Sequence, residues 1–364
     1  MDREPPASVF SNANKLSAFP NQVESVLKGE VIAPVTLEIH PSSGCNHACP
    51  KCSGKLNKES TQYKEIQKQS TFINPNIIKG IVESSSAPYG IVFAGDTGDP
   101  LIHPQIETLI NTIHSKDIAI SIITNGQALN PQISKTIVQE CQGLRVSLDA
   151  YDANSHHLTH GSDTEQWNEL IKNIKDLVTL RNNLSSKDNC LLGVGYLTGK
   201  HTINGMYEAA LLAKSLGVDY IHFRPFFYSN DVIDSETIEK CKVIEDENFS
   251  VIFPEAKYKS TQEREYINCK AANFITVINP KGEAFLCCHH IGQDDYKIDS
   301  IGTGPEDWDN FVNGEKRREL IEKHKLIECP PFCRLHGHNQ TLSKITPADL
   351  LNRSLPVSQH AKFL

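Results

Sequence analysis

Residues 35–52 read VTLEIHPSSGCNHACPKC, and the fold and the chemistry both hinge on this stretch. Its first part, Val35–His40, is a short, β-branched, largely apolar run of the kind found in parallel strands buried on both faces. The chain then passes straight into a loop holding Cys45, Cys49 and Cys52 in a C-x3-C-x2-C array. Three thiolates at this spacing suit one face of an iron–sulfur cube and leave a fourth iron without a protein ligand. A structural zinc site wants four ligands, and His47, the other candidate in the loop, would need a tight turn to serve. Loops at the carboxyl ends of strands are also where parallel α/β folds build their active sites.

Working outward, five further runs of the same character follow: Gly90–Gly95, Ile118–Thr124, Leu144–Asp149, Leu192–Leu197 and Asp219–Arg224. Stretches of helical period separate them. Asn74–Ser84, His103–His114, Asn130–Gln142, Glu165–Arg181 and Gly205–Leu216 each carry an apolar stripe. Six strand–helix alternations predict a parallel α/β sheet with right-handed crossovers, either an open doubly wound sheet or a partial barrel. Beyond Pro225 the rhythm changes. A helix is predicted over Ser235–Asp246, a strand over Phe249–Phe253, a hairpin turning at Asn279–Gly282, and a helix over about Asp307–Lys325. The expected organisation is an N-terminal extension (1–34), a core (35–230), a connecting segment (231–265), a second small domain (266–340) and a tail (341–364).

Composition narrows the function classes. A net charge of −8 over 364 residues argues against a broad footprint for duplex nucleic acid or an anionic membrane. The polar start MDREPPASVF lacks a signal sequence, and no apolar run is long enough to span a bilayer, so a cytoplasmic location is expected. Eleven cysteines cannot all pair, and in a reducing compartment cysteines at motif spacing are more often metal ligands than disulfides.

The C-x3-C-x2-C loop after the first strand resembles the hallmark of the radical S-adenosylmethionine (SAM) superfamily. Lys51 stands where that family usually has a bulky or aromatic residue before the last cysteine. Thr97-Gly98-Asp99-Pro100 resembles the family's Gly-Gly-Glu-Pro loop, with Asp for Glu, and TNG (Thr124–Gly126) and SLDA (Ser147–Ala150) recur at matching strand ends. The resemblance implies a partial (β/α)6 barrel whose Cys45, Cys49 and Cys52 hold a SAM-binding four-iron cluster. It also implies that Gly98, Asp99 and Pro100 receive the SAM ammonium group, Thr124 or Asn125 its ribose, and Ser147 its carboxylate. Asp149 joins the same pocket, and Arg224, at the end of the sixth strand, is expected to pair with a SAM or substrate carboxylate.

A second set follows: Cys269, Gly282 and Cys287 fit C-x12-G-x4-C across the hairpin, and Cys329 and Cys333 add C-x3-C. Four thiolates suit a closed iron–sulfur or zinc site. The pattern resembles the SPASM/twitch branch of the superfamily, in its short version, which implies that these four cysteines ligate one auxiliary four-iron cluster. Cys288 would point away from its ligand neighbour on an extended strand; it is either a hydrogen-atom donor, an alternative ligand or an ordinary buried thiol. Cys141, Cys190 and Cys241 read as structural, and His289, His290, His336 and His338 as flanking groups.

The implied activity is reductive SAM cleavage to a 5′-deoxyadenosyl radical and hydrogen abstraction from an unactivated C–H bond. The expected reaction is dehydrogenation or epimerisation of a small sugar- or aminocyclitol-like natural-product precursor. The alternative is modification of a ribosomal peptide, disfavoured by the roughly 34 residues before the first strand. A flavodoxin or ferredoxin is the expected electron donor. A non-catalytic thiolate scaffold is the competing reading from another class.

Overall fold

The computed structural model describes residues 10–52, 71–96, 98–184, 190–226, 231, 233–254, 258, 264–324, 326–329, 333–346 and 359–364. Its centre is one ten-stranded sheet ordered β10-β9-β8-β1-β2-β3-β4-β5-β6-β7. The strands are β1 (Thr36–Ile39), β2 (Gly90–Phe93), β3 (Ala119–Thr124), β4 (Gly143–Ser147), β5 (Leu191–Thr198), β6 (Tyr220–Pro225), β7 (Ser250–Ile252), β8 (Ile275–Ile278), β9 (Glu283–Phe285) and β10 (Lys297–Ser300). From β1 to β7 every neighbouring pair is parallel. With β7 and β10 at its edges the sheet does not close, giving an open, partial-barrel α/β architecture, one of the two that the alternation of runs allows and the one that the resemblance implies.

Helices over Pro75–Glu83, Ile106–His114, Pro131–Glu140, Thr164–Asn183 and Met206–Ser215 connect successive strands. Two of them start where the sequence dictates. Asn74 and Asn130 cap first turns that carry Pro at N1, their side chains accepting the N–H groups of Asn76 and of Gln132 and Ile133. The apolar stripes face the strands and close a core that includes Leu37, Ile39, Ile91, Phe93, Ile120, Ile122, Leu144, Val146, Leu170, Val194 and Ile221. Inside it, Arg181 and Asp219 form a fully buried ion pair, and Asp219 also accepts the Leu192 N–H at 2.7 Å, tying the long helix to β5 and β6.

Strand β8 pairs in parallel with β1, Thr36 facing Ile275 and Ile39 facing Ile278, so the hairpin β8–β9 extends the barrel sheet itself. Strand β7, expected over Phe249–Phe253 within the connecting segment, pairs with β6 and so belongs to the sheet. The single helix expected over about 307–325 is two, Pro305–Val312 and Glu315–Lys323, broken at Asn313-Gly314. Glycine costs about 1 kcal/mol in a helix interior, and the two halves bury different faces. Trp308, Phe311 and Val312 enter the main core, whereas Ile321 enters a second cluster with Phe274, Leu286, Leu335 and the thiols of Cys269 and Cys333. The helices Asn12–Ser17, Pro20–Leu27, Ala153–His160 and His336–Lys344, absent from the sequence expectation, are short, and the last two are rich in polar residues.

Candidate active site

All three thiols of the first set sit just past the end of β1. Cys52 and Cys45 each crowd Cys49, whose thiol pKa is pushed up to about 12, first by burial and then by those two neighbours. Cys45 is raised by burial too, with Asp99 and Cys52 adding to it. These thiols are therefore close enough to feel one another's charge, and in the absence of a cation they resist ionisation; a bound metal reverses that preference. Hydrogen bonds shape the loop. The N–H of His47 reaches Cys45 Sγ at 3.5 Å, Asn125 Nδ2 reaches the same sulfur at 3.6 Å, and the Cys52 thiol points at the Asp96 carbonyl at 3.4 Å. Lys51 lays its ammonium over the Phe226 ring, 5.7 Å from the centroid, so the aromatic partner in this neighbourhood comes from the end of β6.

The loop after β2 clamps the cysteine loop. The Asp99 N–H donates to the Gly44 carbonyl at 2.7 Å, and the Asp99 carboxylate accepts from Leu101 N–H, Thr124 Oγ1 and Asn125 N–H at 2.7–2.9 Å. Asp99 is buried, and its oxygens are committed to joining β2 to the end of β3. Thr124 and Asn125 are drawn into the same knot, Thr124 also accepting the Gly126 N–H. Pro100 opens the short 3₁₀ turn that Asp99 caps. Thr97 lies outside the described residues. Gly98 is fixed by space: a Cβ there would collide with the Ser42 carbonyl and stand 2.7 Å from the Gly44 oxygen, both backbone atoms. Gly98→Ala is expected to cost about 1–3 kcal/mol and to lower iron bound at the first thiol set, checked by chemical denaturation and iron content.

At the end of β4, Ser147 faces the barrel interior, and Asp149 adopts a left-handed backbone (φ 47°), where its carboxylate accepts the Leu197 N–H at 2.6 Å and lies 3.8 Å from His160 Nε2. Burial raises the Asp149 carboxyl to about 6, against the pull of Arg224 and Arg145. His156 and His160 stack at 4.4 Å, His47 packs edge-on against both, and the His160 carbonyl accepts the Ala48 N–H. The polar helix 153–160 is thus the back wall of the cysteine loop.

On the other side of the interior, Cys269, Cys287, Cys329 and Cys333 converge. Cys333 raises the thiol pKa of each of the other three, behind burial and, for Cys287, behind Cys288, and Cys269 adds to Cys287 and Cys329. Asn339 Nδ2 reaches Cys269 Sγ at 3.3 Å. His324 Nε2 stands 3.0 Å from Cys329 Sγ and, with His290, forms a group whose ligand atoms lie within 4.8 Å of one another. Sequence reasoning missed His324, whose only signal was its place five residues before Cys329. His290 stacks on Tyr296 at 3.7 Å, and His336 contacts the Tyr266 hydroxyl at 3.0 Å. Cys141, Cys190 and Cys241 are buried in the main core.

A cavity of about 830 Å³ is lined by Cys333 of the second thiol set and reaches Asp96, whose carbonyl meets the Cys52 thiol. Gly95, Asp96 and Ser147 line it from one side and Cys288, His289, Cys333 and Arg334 from the other. Cys287 opens a short 3₁₀ turn that swings Cys288 to the cavity wall while Cys287 stays buried. Arg334, beside Cys333, pairs with Glu38 on β1, which also meets His40 Nε2 at 2.8 Å; despite the upward push of burial, these partners hold the Glu38 carboxyl well below its ordinary value. Arg224 lines the cavity, whereas Asp99, Thr124, Asn125 and Asp149 sit behind its wall. The sequence reading did not single out Asp96. Among the described residues, no helix is long and apolar enough to cross a membrane.

Comparison with known proteins agrees with this architecture. Residues 39–196 match the radical SAM superfamily. A radical SAM cyclopropyl synthase, TigE, from Paramaledivibacter caminithermalis is 22% identical over 77% of this chain, and the match spans 63% of that relative's length. SuiB from Streptococcus suis, solved with its precursor peptide SuiA, superposes with a TM-score of 0.60 at 14% identity, covering 90% of this chain and 77% of SuiB. The structure of anSMEcpe with bound AdoMet gives a TM-score of 0.55 at 14% identity, covering 85% and 95%. Strands, cysteine loop and matched segment agree: residues 39–196 form a radical SAM superfamily domain.

Proposed function

We propose that the chain is a radical SAM oxidoreductase with two iron–sulfur sites that acts on a substrate held between them. The observation that carries this reading is a cavity lined both by Asp96, whose carbonyl meets the Cys52 thiol, and by Cys333 of the second thiol set. Cys45, Cys49 and Cys52 fit the SAM-binding cluster, because three thiols that feel one another's charge, with no fourth cysteine in the loop, leave one coordination position open. Cys269, Cys287, Cys329 and Cys333 fit a closed four-thiolate site. When bound, the first cluster and SAM supply a 5′-deoxyadenosyl radical able to take hydrogen from an unactivated C–H bond.

The chain's own residues do the rest. Gly98 allows the β2 loop to lie against the cysteine loop, leaving that loop's backbone carbonyls, not the occupied Asp99 carboxylate, for the SAM ammonium group. Ser147 offers a donor to the SAM carboxylate, and Arg224 offers one to a carboxylate of the substrate. Burial raises the Cys288 thiol to about 12, so it stays protonated with an S–H at the cavity wall. That is the state a hydrogen donor requires.

The volume, shared with SAM, suits a small polar molecule or a few residues of a peptide. The peptide reading draws support from two structural neighbours, SuiB with SuiA and anSMEcpe with the Cp18Cys peptide. The test is anaerobic turnover with candidate substrates deuterated at carbon, followed by mass analysis. Deuterium in 5′-deoxyadenosine supports the reading. Solvent-derived deuterium in the product, lost in Cys288→Ala, assigns the donor; 5′-deoxyadenosine free of label with every deuterated candidate that is converted contradicts it.

A further inference from the structure

Arg145 and Arg224 converge inside the cavity across a strand that gives them room. Arg145 projects from β4 and Arg224 from β6, and Gly195 of β5 lies between: a Cβ on Gly195 would stand 3.1 Å from Arg224 Nη2 and 3.6 Å from Arg145 Nε and Cδ. Any larger residue at 195 would push the two guanidiniums apart. Both line the cavity, and the Nε atoms of both are buried without a hydrogen-bond partner among the described residues. Neither forms an ion pair within 4 Å among those residues, whereas Arg334 nearby is taken by Glu38. Arg145 Nη1 contacts only an imidazole there, His222 Nδ1 at 3.2 Å.

The surroundings tilt the same way. The cavity wall carries Lys15, Arg145, Arg224, Lys242 and Arg334 against Glu38, Asp96 and Glu245. His338, 4% exposed, also lines the cavity, and both of its ring nitrogens lack a hydrogen-bond partner among the described residues. Two like charges held together in a low-dielectric site are costly; Asp149 behind the wall offsets them without pairing with either within 4 Å, and paired guanidinium forks match a further carboxylate.

We propose that Arg145 and Arg224 form a subsite for a carboxylate of the substrate, so that the enzyme's substrate is an acid. This rests on the radical SAM reading for the role of the cavity, and it narrows the substrate class. Arg145 stands two residues before Ser147 on the same face of β4, and so one layer deeper in the barrel than the serine assigned to the SAM carboxylate.

The experiment is calorimetric binding to the anaerobically reconstituted protein with SAM saturating. The probes are glutarate, a capped Ala-Glu-Ala peptide and its Ala-Gln-Ala counterpart. Saturable binding of glutarate or the Glu peptide is expected, weakened at least about tenfold by Arg145→Gln and by Arg224→Gln, and absent or at least about tenfold weaker for the Gln peptide. Preference for glutarate indicates a free acid, and preference for the peptide an acidic side chain. SAM affinity should change less than about threefold, and Arg145→Lys, which keeps the charge and the fold, should retain part of the binding. No saturable carboxylate binding by the wild type, equal binding by the variants, or a parallel loss of SAM affinity overturns the proposal. Reduction of the same samples separates the two readings: wild-type protein that binds carboxylate but yields no 5′-deoxyadenosine fails the radical reading alone.

Discussion

Replacing Cys45, Cys49 and Cys52 together by Ala is expected to bring SAM cleavage down to that of a protein-free control. Iron bound after anaerobic reconstitution should fall from about eight to about four atoms per chain. The loss follows from where the three thiols stand: they leave the end of β1 together, and the neighbouring hydrogen bonds are too weak to replace a ligand. The fold should survive, because the loop packs outside the sheet core. Chromatography of 5′-deoxyadenosine and iron analysis check both parts, and retained cleavage would remove these cysteines from the SAM-binding role.

Cys329→Ala is expected to separate two activities. Cys333 of the second thiol set lines the cavity and none of Cys45, Cys49 and Cys52 does, so SAM cleavage should stay within about threefold of wild type while conversion of an accepted substrate is lost. Iron should again fall by about four atoms per chain. The exposed side of that set makes Cys329 the informative choice, since Cys269 and Cys333 also pack in the second apolar cluster and their loss would disturb folding. Equal loss of cleavage and conversion, with a lowered denaturation midpoint, would mean that the site serves folding.

The runs that became β1–β6 were legible because a strand buried on both faces has to be apolar throughout, and the helices between them because one face had to meet that sheet. The pairing of β8 with β1 left no such trace: parallel partners hundreds of residues apart are chosen by backbone hydrogen bonds that any apolar run can make. The split at Gly314 was hidden because both half-helices carry apolar residues, and only the packing shows that they serve different clusters. Within the site, cysteine spacing drew attention to both thiol sets. It said nothing of His324, nor of the Asp99 carboxylate's use as a brace, since donors such as the Asn125 N–H carry no side-chain signature. Arg145 lay in plain view in LRVSLD, but its meaning needed Gly195 across the next strand.

The account stands on two iron–sulfur sites facing one cavity, of which one binds SAM. Mössbauer spectroscopy of the anaerobically reconstituted protein, with and without SAM, tests this most directly. The account predicts about eight irons per chain in two spectrally distinct four-iron clusters, with SAM changing the spectrum only of the one lost on replacing Cys45, Cys49 and Cys52. About four irons per chain, zinc in either thiol set, or two clusters equally indifferent to SAM would contradict it.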